Sequence, residues 1–192
     1  MCGVVGYTGT KQAAAWLLDG LQTLEYRGYD SAGIMVASPS GNLHGVKCAG
    51  RVATLRERAA AANPLGTCGI GHTRWATHGA PTDRNAHPHL DGSGRIAVVH
   101  NGIIENFQEL KRELMAAGHT FVSDTDTEVI PHLIQEAWDG PAAGDLAGAV
   151  RNACDRLEGS WALAVVCADD PGTLVVTRNG SPLVVASTDD GA

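Results

Sequence analysis

The second residue of the chain is a cysteine, set between the initiator methionine and a glycine. Aminopeptidases trim Met before small residues, and trimming would leave Cys2 with a thiol and a free α-amine. A thiolate is a strong nucleophile but needs a base to form. An α-amine titrates near ~7.7–8.0, close to the best value for a base at neutral pH. One residue would then carry nucleophile and base together. By position alone, the plainer reading of Cys2 is an ordinary strand residue. The run GHTRWATHG at 71–79 leaves a strand and enters a polar loop, where functional side chains gather. Arg74 there suits a carboxylate, through a two-pronged charge-assisted bond. Thr77 and His78 add polar contacts, and Trp75 would close a pocket against water. The alternative is a loop whose Arg pairs with a surface acid and whose Trp fills the core.

Two further runs carry chemistry. VVHNG at 98–102 ends a strand and turns into the next element. It can offer the Asn101 amide and the Gly102 backbone N–H to one oxygen, the geometry of an oxyanion hole, in which one donor is worth roughly 2.7–4 kcal/mol. Asn-Gly is also a common turn. SDTDTE at 123–128 is rich in hydroxyls and acids. It reads as a capped helix start with acids at the positive end, with one carboxylate left over to meet an ammonium group. His72, His78, His87 and His89 raise a zinc site. No H-E-x-x-H accompanies them, so metal binding is the weaker reading. No phosphate-cradling glycine motif occurs.

The elements that must position these residues follow from periodicity and punctuation. Strands are expected at 2–8, 33–37, 43–48, 67–73, 95–101, 160–168, 173–178 and 183–187. Helices are expected at 11–24, 52–62 with Asn63-Pro64 as its stop, 104–117, 124–137 and 145–157. A long polar loop is expected at 75–94. Strands cluster at both ends with helices between them, and several connections look like hairpins. That favours α+β with antiparallel sheets over a doubly wound parallel sheet.

Composition narrows the function class. The net charge of −7 disfavours nucleic acid and anionic membranes as partners. No apolar run approaches the length of a membrane span, and no leader is visible. Five widely spaced cysteines without C-x-x-C argue against a disulfide or zinc framework. A reducing, cytoplasmic setting is expected.

CGVVG at 2–6, LEYRGYDSAG at 24–33, HTRWATHG at 72–79, NAHPH at 85–89, VVHNGIIEN at 98–106 and SDTDTEV at 123–129 stand in one order. Together they resemble class II glutamine amidotransferase domains, members of the N-terminal nucleophile hydrolases. The resemblance implies a four-layer α-β-β-α sandwich of two antiparallel sheets. It implies L-glutamine as substrate and no cofactor. Cys2 would attack the side-chain amide, and Asn101 and Gly102 would hold the oxyanion. Arg74 and Asp126 would bind the two charged ends of glutamine. Trp75, Thr77 and His78 would line the pocket, with Arg27 and His87 in support. LEYRGYDSAG and HTRWATHG point to the branch that passes ammonia to fructose 6-phosphate for amino-sugar synthesis. Members of that branch carry a C-terminal sugar-isomerase region and are homodimers at full length. The 192 residues hold only a glutaminase half, so a truncated chain is expected.

Overall fold

A computed structural model describes residues 2–76 and 79–192. Two four-stranded antiparallel sheets make up its centre. The first runs β1 (Gly3–Thr8), β4 (Cys68–Arg74), β2 (Ser31–Ser38), β3 (Asn42–Ala49) across its width. The second runs β5 (His89–Leu90), β6 (Ile96–Ile104), β7 (Gly159–Cys167), β8 (Asp170–Asn179). Helices α1 (Ala13–Leu24) and α2 (Val52–Ala62) cover the first sheet; α3 (Phe107–Ala116), α4 (Val129–Trp138) and α5 (Leu146–Cys154) cover the second. The layers are α-β-β-α, as the resemblance implied.

Strand alternation sorts the side chains among three packed layers. Ile34 and Val36 face α1 and α2, where Leu17, Leu21 and Leu55 are wholly buried. Ile96, Val98, Leu163 and Val165 face α3–α5, against Leu114, Ile130 and Ile134. The opposite faces of the same strands give Met35, Cys68, Ile70, Ala97, Val99, Ala164 and Val166, which fill the space between the sheets. Each fully buried Leu or Ile contributes about 1.5–3 kcal/mol.

The same alternation carries the chemistry inward. His72 and Arg74 follow Cys68 and Ile70 at two-residue steps along β4, and Asn101 follows Ala97 and Val99 along β6. Cys2 precedes Val4, which packs on the intersheet cluster. The intersheet layer is therefore apolar at one end and polar at the other, and the polar end holds the nucleophile.

Helix α2 has the expected bounds, with Asn63 closing it in the left-handed region at φ 46°. Four expectations differ from the structure. The helix expected at 104–117 starts only at Phe107, because Ile103 and Ile104 still pair with Ser160 and Gly159. The helix expected at 124–137 starts at Val129. Glu128 instead folds its carboxylate back onto the N–H groups of Val122 and Ser123, at 2.8 and 2.6 Å, and this local side-chain bonding closes residues 122–128 in a non-helical turn. Residues 183–187 are an apolar, β-branched run that reads as a strand but has no strand partner among the described residues, and Val184 is 89% exposed. The polar loop contains a two-residue strand, β5, paired to Val98 and Ala97.

Candidate active site

Cys2 lies just before β1, its sulfur against the backbone of Trp75 at the exit of β4. The Trp75 N–H donates to Sγ at 3.2 Å, and Sγ–H donates to the Trp75 carbonyl at 3.6 Å. Burial raises the thiol pKa and Asp30 pushes the same way; the Trp75 hydrogen bond and Arg74 oppose them. At neutral pH the resting group is thus mostly the thiol, which needs a base before it can attack. Asp30 also fixes this corner: its carboxylate accepts from the Ala76 N–H and, at 2.8 Å, from the Ser31 hydroxyl. Gly28 is required beside it, since a Cβ there would come within 2.8 Å of the Arg74 carbonyl carbon.

Cys2 opens onto a cavity of about 40 Å³ lined by His72, Arg74, Trp75, His87, Gly102, Asp126 and others. Arg74 is buried, and its guanidinium donates to the carbonyls of Gly79 at 3.0 Å and Ala80 at 3.4 Å. Asp126 is buried as well, with Oδ2 accepting the Ile104 N–H at 2.9 Å. The non-helical 123–128 segment makes that contact possible, because it turns Asp126 toward the end of β6. Trp75 is half exposed and meets Tyr29 edge-on at 5.7 Å between ring centres. On the far side of Cys2 a second cavity, about 600 Å³, is lined by Arg27, Leu24, Asn101, Gly102, Trp75 and residues of the C-terminal tail. The structure therefore brings Cys2, Arg27, Arg74, Trp75, His87, Asn101, Gly102 and Asp126 around one sulfur. Thr77 and His78 lie outside the described residues.

Asn101 donates from Nδ2 to the Cys2 carbonyl at 3.2 Å. Gly102 has φ 142°, and a Cβ would sit 1.9 Å from the Ser160 carbonyl oxygen, so only glycine fits this rung of the β6–β7 ladder.

A buried histidine group that motif reading did not resolve backs the cavity. The His72 ring stacks on His87 at 4.1 Å, and His87 meets His89 edge-on at 4.7 Å. His87 Nδ1 accepts the His100 N–H at 3.3 Å, which places its proton on Nε2, 3.4 Å from the Thr127 hydroxyl. That hydroxyl is 2.9 Å from His100 Nδ1. Burial holds His72 down to about 3 and His87 and His89 well below the usual imidazole value, each helped by neighbouring cations and histidines. Burial also lowers His100, against the pull of Asp126. All four rings are neutral at physiological pH, and Arg74 supplies the positive charge of the cavity. Among the described residues no three His, Cys, Asp or Glu side chains are arranged to hold a metal ion. No helix among them is long and apolar enough to cross a membrane. The signal for His72 and His100 was present in strand period: each stands two residues before a site residue, Arg74 and Gly102.

A family model described as a glutamine amidotransferase domain matches residues 72–192. Curated relatives named glutamine–fructose-6-phosphate aminotransferase [isomerizing] include one from Mycolicibacterium paratuberculosis, 52% identical over 98% of this chain and 31% of the relative. Another, from Symbiobacterium thermophilum, is 55% identical over 96% of this chain and 30% of the relative. The chain thus spans about a third of the length of the curated relatives it matches. Among solved structures, glutamine phosphoribosylpyrophosphate amidotransferase from B. subtilis, complexed with ADP and GMP, superposes with a TM-score of 0.76. It is 27% identical, over 93% of this chain and 37% of that one. The family match covers more than half of the chain and includes most of the residues around the Cys2 sulfur, so the chain belongs to the class II glutamine amidotransferase domain family.

Proposed function

We propose that the chain, once Met1 is removed, hydrolyses the side-chain amide of L-glutamine to glutamate and ammonia. What supports this reading is one cavity that Cys2, Arg74, Gly102 and Asp126 all line. Glutamine has a carboxylate and an ammonium at one end and an amide at the other. Arg74 meets the carboxylate and Asp126 the ammonium, which leaves the amide at the sulfur. The free α-amine of Cys2 takes the thiol proton, and the thiolate adds to the amide carbon. The carbonyl oxygen becomes an oxyanion, held by the Asn101 Nδ2 proton not used on the Cys2 carbonyl and by the Gly102 N–H. The amine returns the proton to the departing nitrogen, ammonia leaves, and a glutamyl thioester remains. Water, deprotonated by the same amine, releases glutamate. Thr77 and His78 are proposed to line the pocket, Trp75 to cover it, and Arg27 and His87 to support the nucleophile.

In the longer protein the ammonia passes to a sugar-isomerase region, which uses it to convert fructose 6-phosphate to glucosamine 6-phosphate. The printed names of the curated relatives and the third of their length that this chain spans support that larger role.

The test is covalent labelling. 6-Diazo-5-oxonorleucine, an electrophilic glutamine analogue, should modify the Met1-free chain once, at Cys2, with loss of glutaminase activity. Cys2→Ala should show neither labelling nor glutamate release. A folded, Met1-free chain that neither labels nor releases glutamate contradicts the proposal.

A further inference from the structure

We infer that His72 is a positioning residue that fixes the amide of Asn101 with its nitrogen toward the nucleophile; this rests on the glutaminase reading above. The Cys2 carbonyl can only accept a hydrogen bond. The Asn101 atom 3.2 Å from it must therefore be Nδ2, which leaves Oδ1 on the opposite side. Oδ1 stands 3.0 Å from His72 Nε2, and the His100 carbonyl stands 3.1 Å from the same nitrogen. Both are acceptors, so Nε2 must carry the ring proton and be shared between them. His72 thus holds the one tautomer that can bind Asn101 through its oxygen.

Three observations keep His72 in that state. It is 1% exposed, and its ring is stacked on His87. Among the described residues its Nδ1 has no hydrogen-bond partner, so a second proton there would be buried without an acceptor among them. The strand fixes its origin: His72 pairs with Val4 of β1 and Gly33 of β2, in the middle of the first sheet, whereas Asn101 belongs to the second. The bond is therefore a cross-sheet brace, tying the oxyanion donor of β6 to the strand that carries Arg74. Without it, among the described residues only the Cys2 carbonyl, at 3.2 Å from Nδ2, holds the Asn101 amide, and the amide is less firmly aimed at a developing negative charge.

The experiment compares variants of the Met1-free chain with glutamine as substrate. His72→Phe keeps the ring and removes the donor. Its kcat should fall up to about 100-fold, the scale of losing one oxyanion donor, while KM for glutamine stays within about twofold. Alkylation of Cys2 by iodoacetamide, which develops no oxyanion, should proceed at the wild-type rate. A general loosening of the site would move KM and alkylation together with kcat. His72→Gln, whose amide nitrogen reaches the place of Nε2, should recover most of kcat. If the Phe ring is not tolerated, His72→Asn replaces it: its shorter amide cannot reach Oδ1 and should lose activity as Phe would. In a double variant with Asn101→Ala, His72→Phe should cost nothing further. A folded donor-less variant with wild-type kcat, or one that raises only KM, overturns the positioning role. A wild-type chain that releases no glutamate would instead overturn the glutaminase reading, so the two failures are distinct.

Discussion

Replacing Asp126 by Asn tests the ammonium clamp while sparing the fold. Asp126 does two jobs that this change separates. Its Oδ2 accepts the buried Ile104 N–H at 2.9 Å, and its charge is proposed to hold the substrate ammonium. An Asn side chain can keep the first bond through Oδ1 but offers no charge, and it turns an N–H₂ group toward a cation. A hydrogen bond to a charged group is worth about 1.5–3 kcal/mol, or roughly 10- to 150-fold in binding. The clamp grips the end of glutamine that does not react, equally in ground and transition states, so the loss should appear in KM with kcat nearly unchanged. Removing the carboxylate also takes away the influence that favours a charged His100, so the ring stays neutral and no new buried charge arises. Asp126→Ala is the contrasting variant. It strands the Ile104 N–H as well, which costs about 1–3 kcal/mol of stability and, for a chain of this size, lowers Tm by roughly 2–4 °C per kcal/mol. Glutamate release measured over a range of glutamine concentrations, with thermal melts alongside, separates the two. An Asp126→Asn variant whose KM stays within about twofold of wild type would refute the clamp.

Two further outcomes follow from the same geometry. Gly102→Ala should lose about 3 kcal/mol or more, from a side chain forced into φ 142° and a Cβ 1.9 Å from the Ser160 oxygen; a thermal melt unchanged from wild type would contradict it. Acid should destabilise the fold, because the His72 pKa is depressed to about 3 and those of His87 and His89 lie well below the usual value. Their contribution is present above about pH 6.5 and is lost progressively as pH falls toward 3; the loss from His72 alone reaches about 2 kcal/mol at pH 5, so an unchanged urea midpoint between pH 7.5 and 5 would contradict it.

Much of this was legible in the sequence because it rests on local rules. Periodicity located the stripe Leu17, Leu18, Leu21 on α1, and Asn63-Pro64 marked the end of α2. Motif order gave the four layers and the residues that gather around Cys2. What local rules missed depended on long-range pairing. Residue 104 reads as helix until β7 supplies a partner, and tertiary pairing then outweighs propensity. Residues 183–187 show the reverse: a strand-like run with no strand partner among the described residues. The 123–128 segment carries good capping residues, yet Glu128 bonds backward to Val122 and Ser123 instead of opening a turn. His72 was visible as a residue type, and even as a zinc candidate. Its use depends on Asn101, 29 residues away on the other sheet, which no spacing rule reveals.

The division of labour inside the cavity follows from where the intersheet layer changes character. One strand step separates Ile70 from His72 and Val99 from Asn101, so the groups proposed to act on the amide stand directly on a close-packed floor. Asn101 and Gly102 are ladder residues of β6, paired to Ala162 and Trp161, and have little freedom to drift. A site built on strands holds its donors more closely than one built on loops. The groups proposed to hold the rest of glutamine are placed differently. The tip of Arg74 hangs on the carbonyls of Gly79 and Ala80, beyond the end of β4, and Trp75 is half exposed just outside it. The groups proposed for the reaction thus stand on the sheets, and those proposed to hold substrate stand at the exit of β4. His72 is buried where its bond to Asn101 ties the first sheet to the second, so a hydrogen-bonded polar contact stands at the polar end of the intersheet layer.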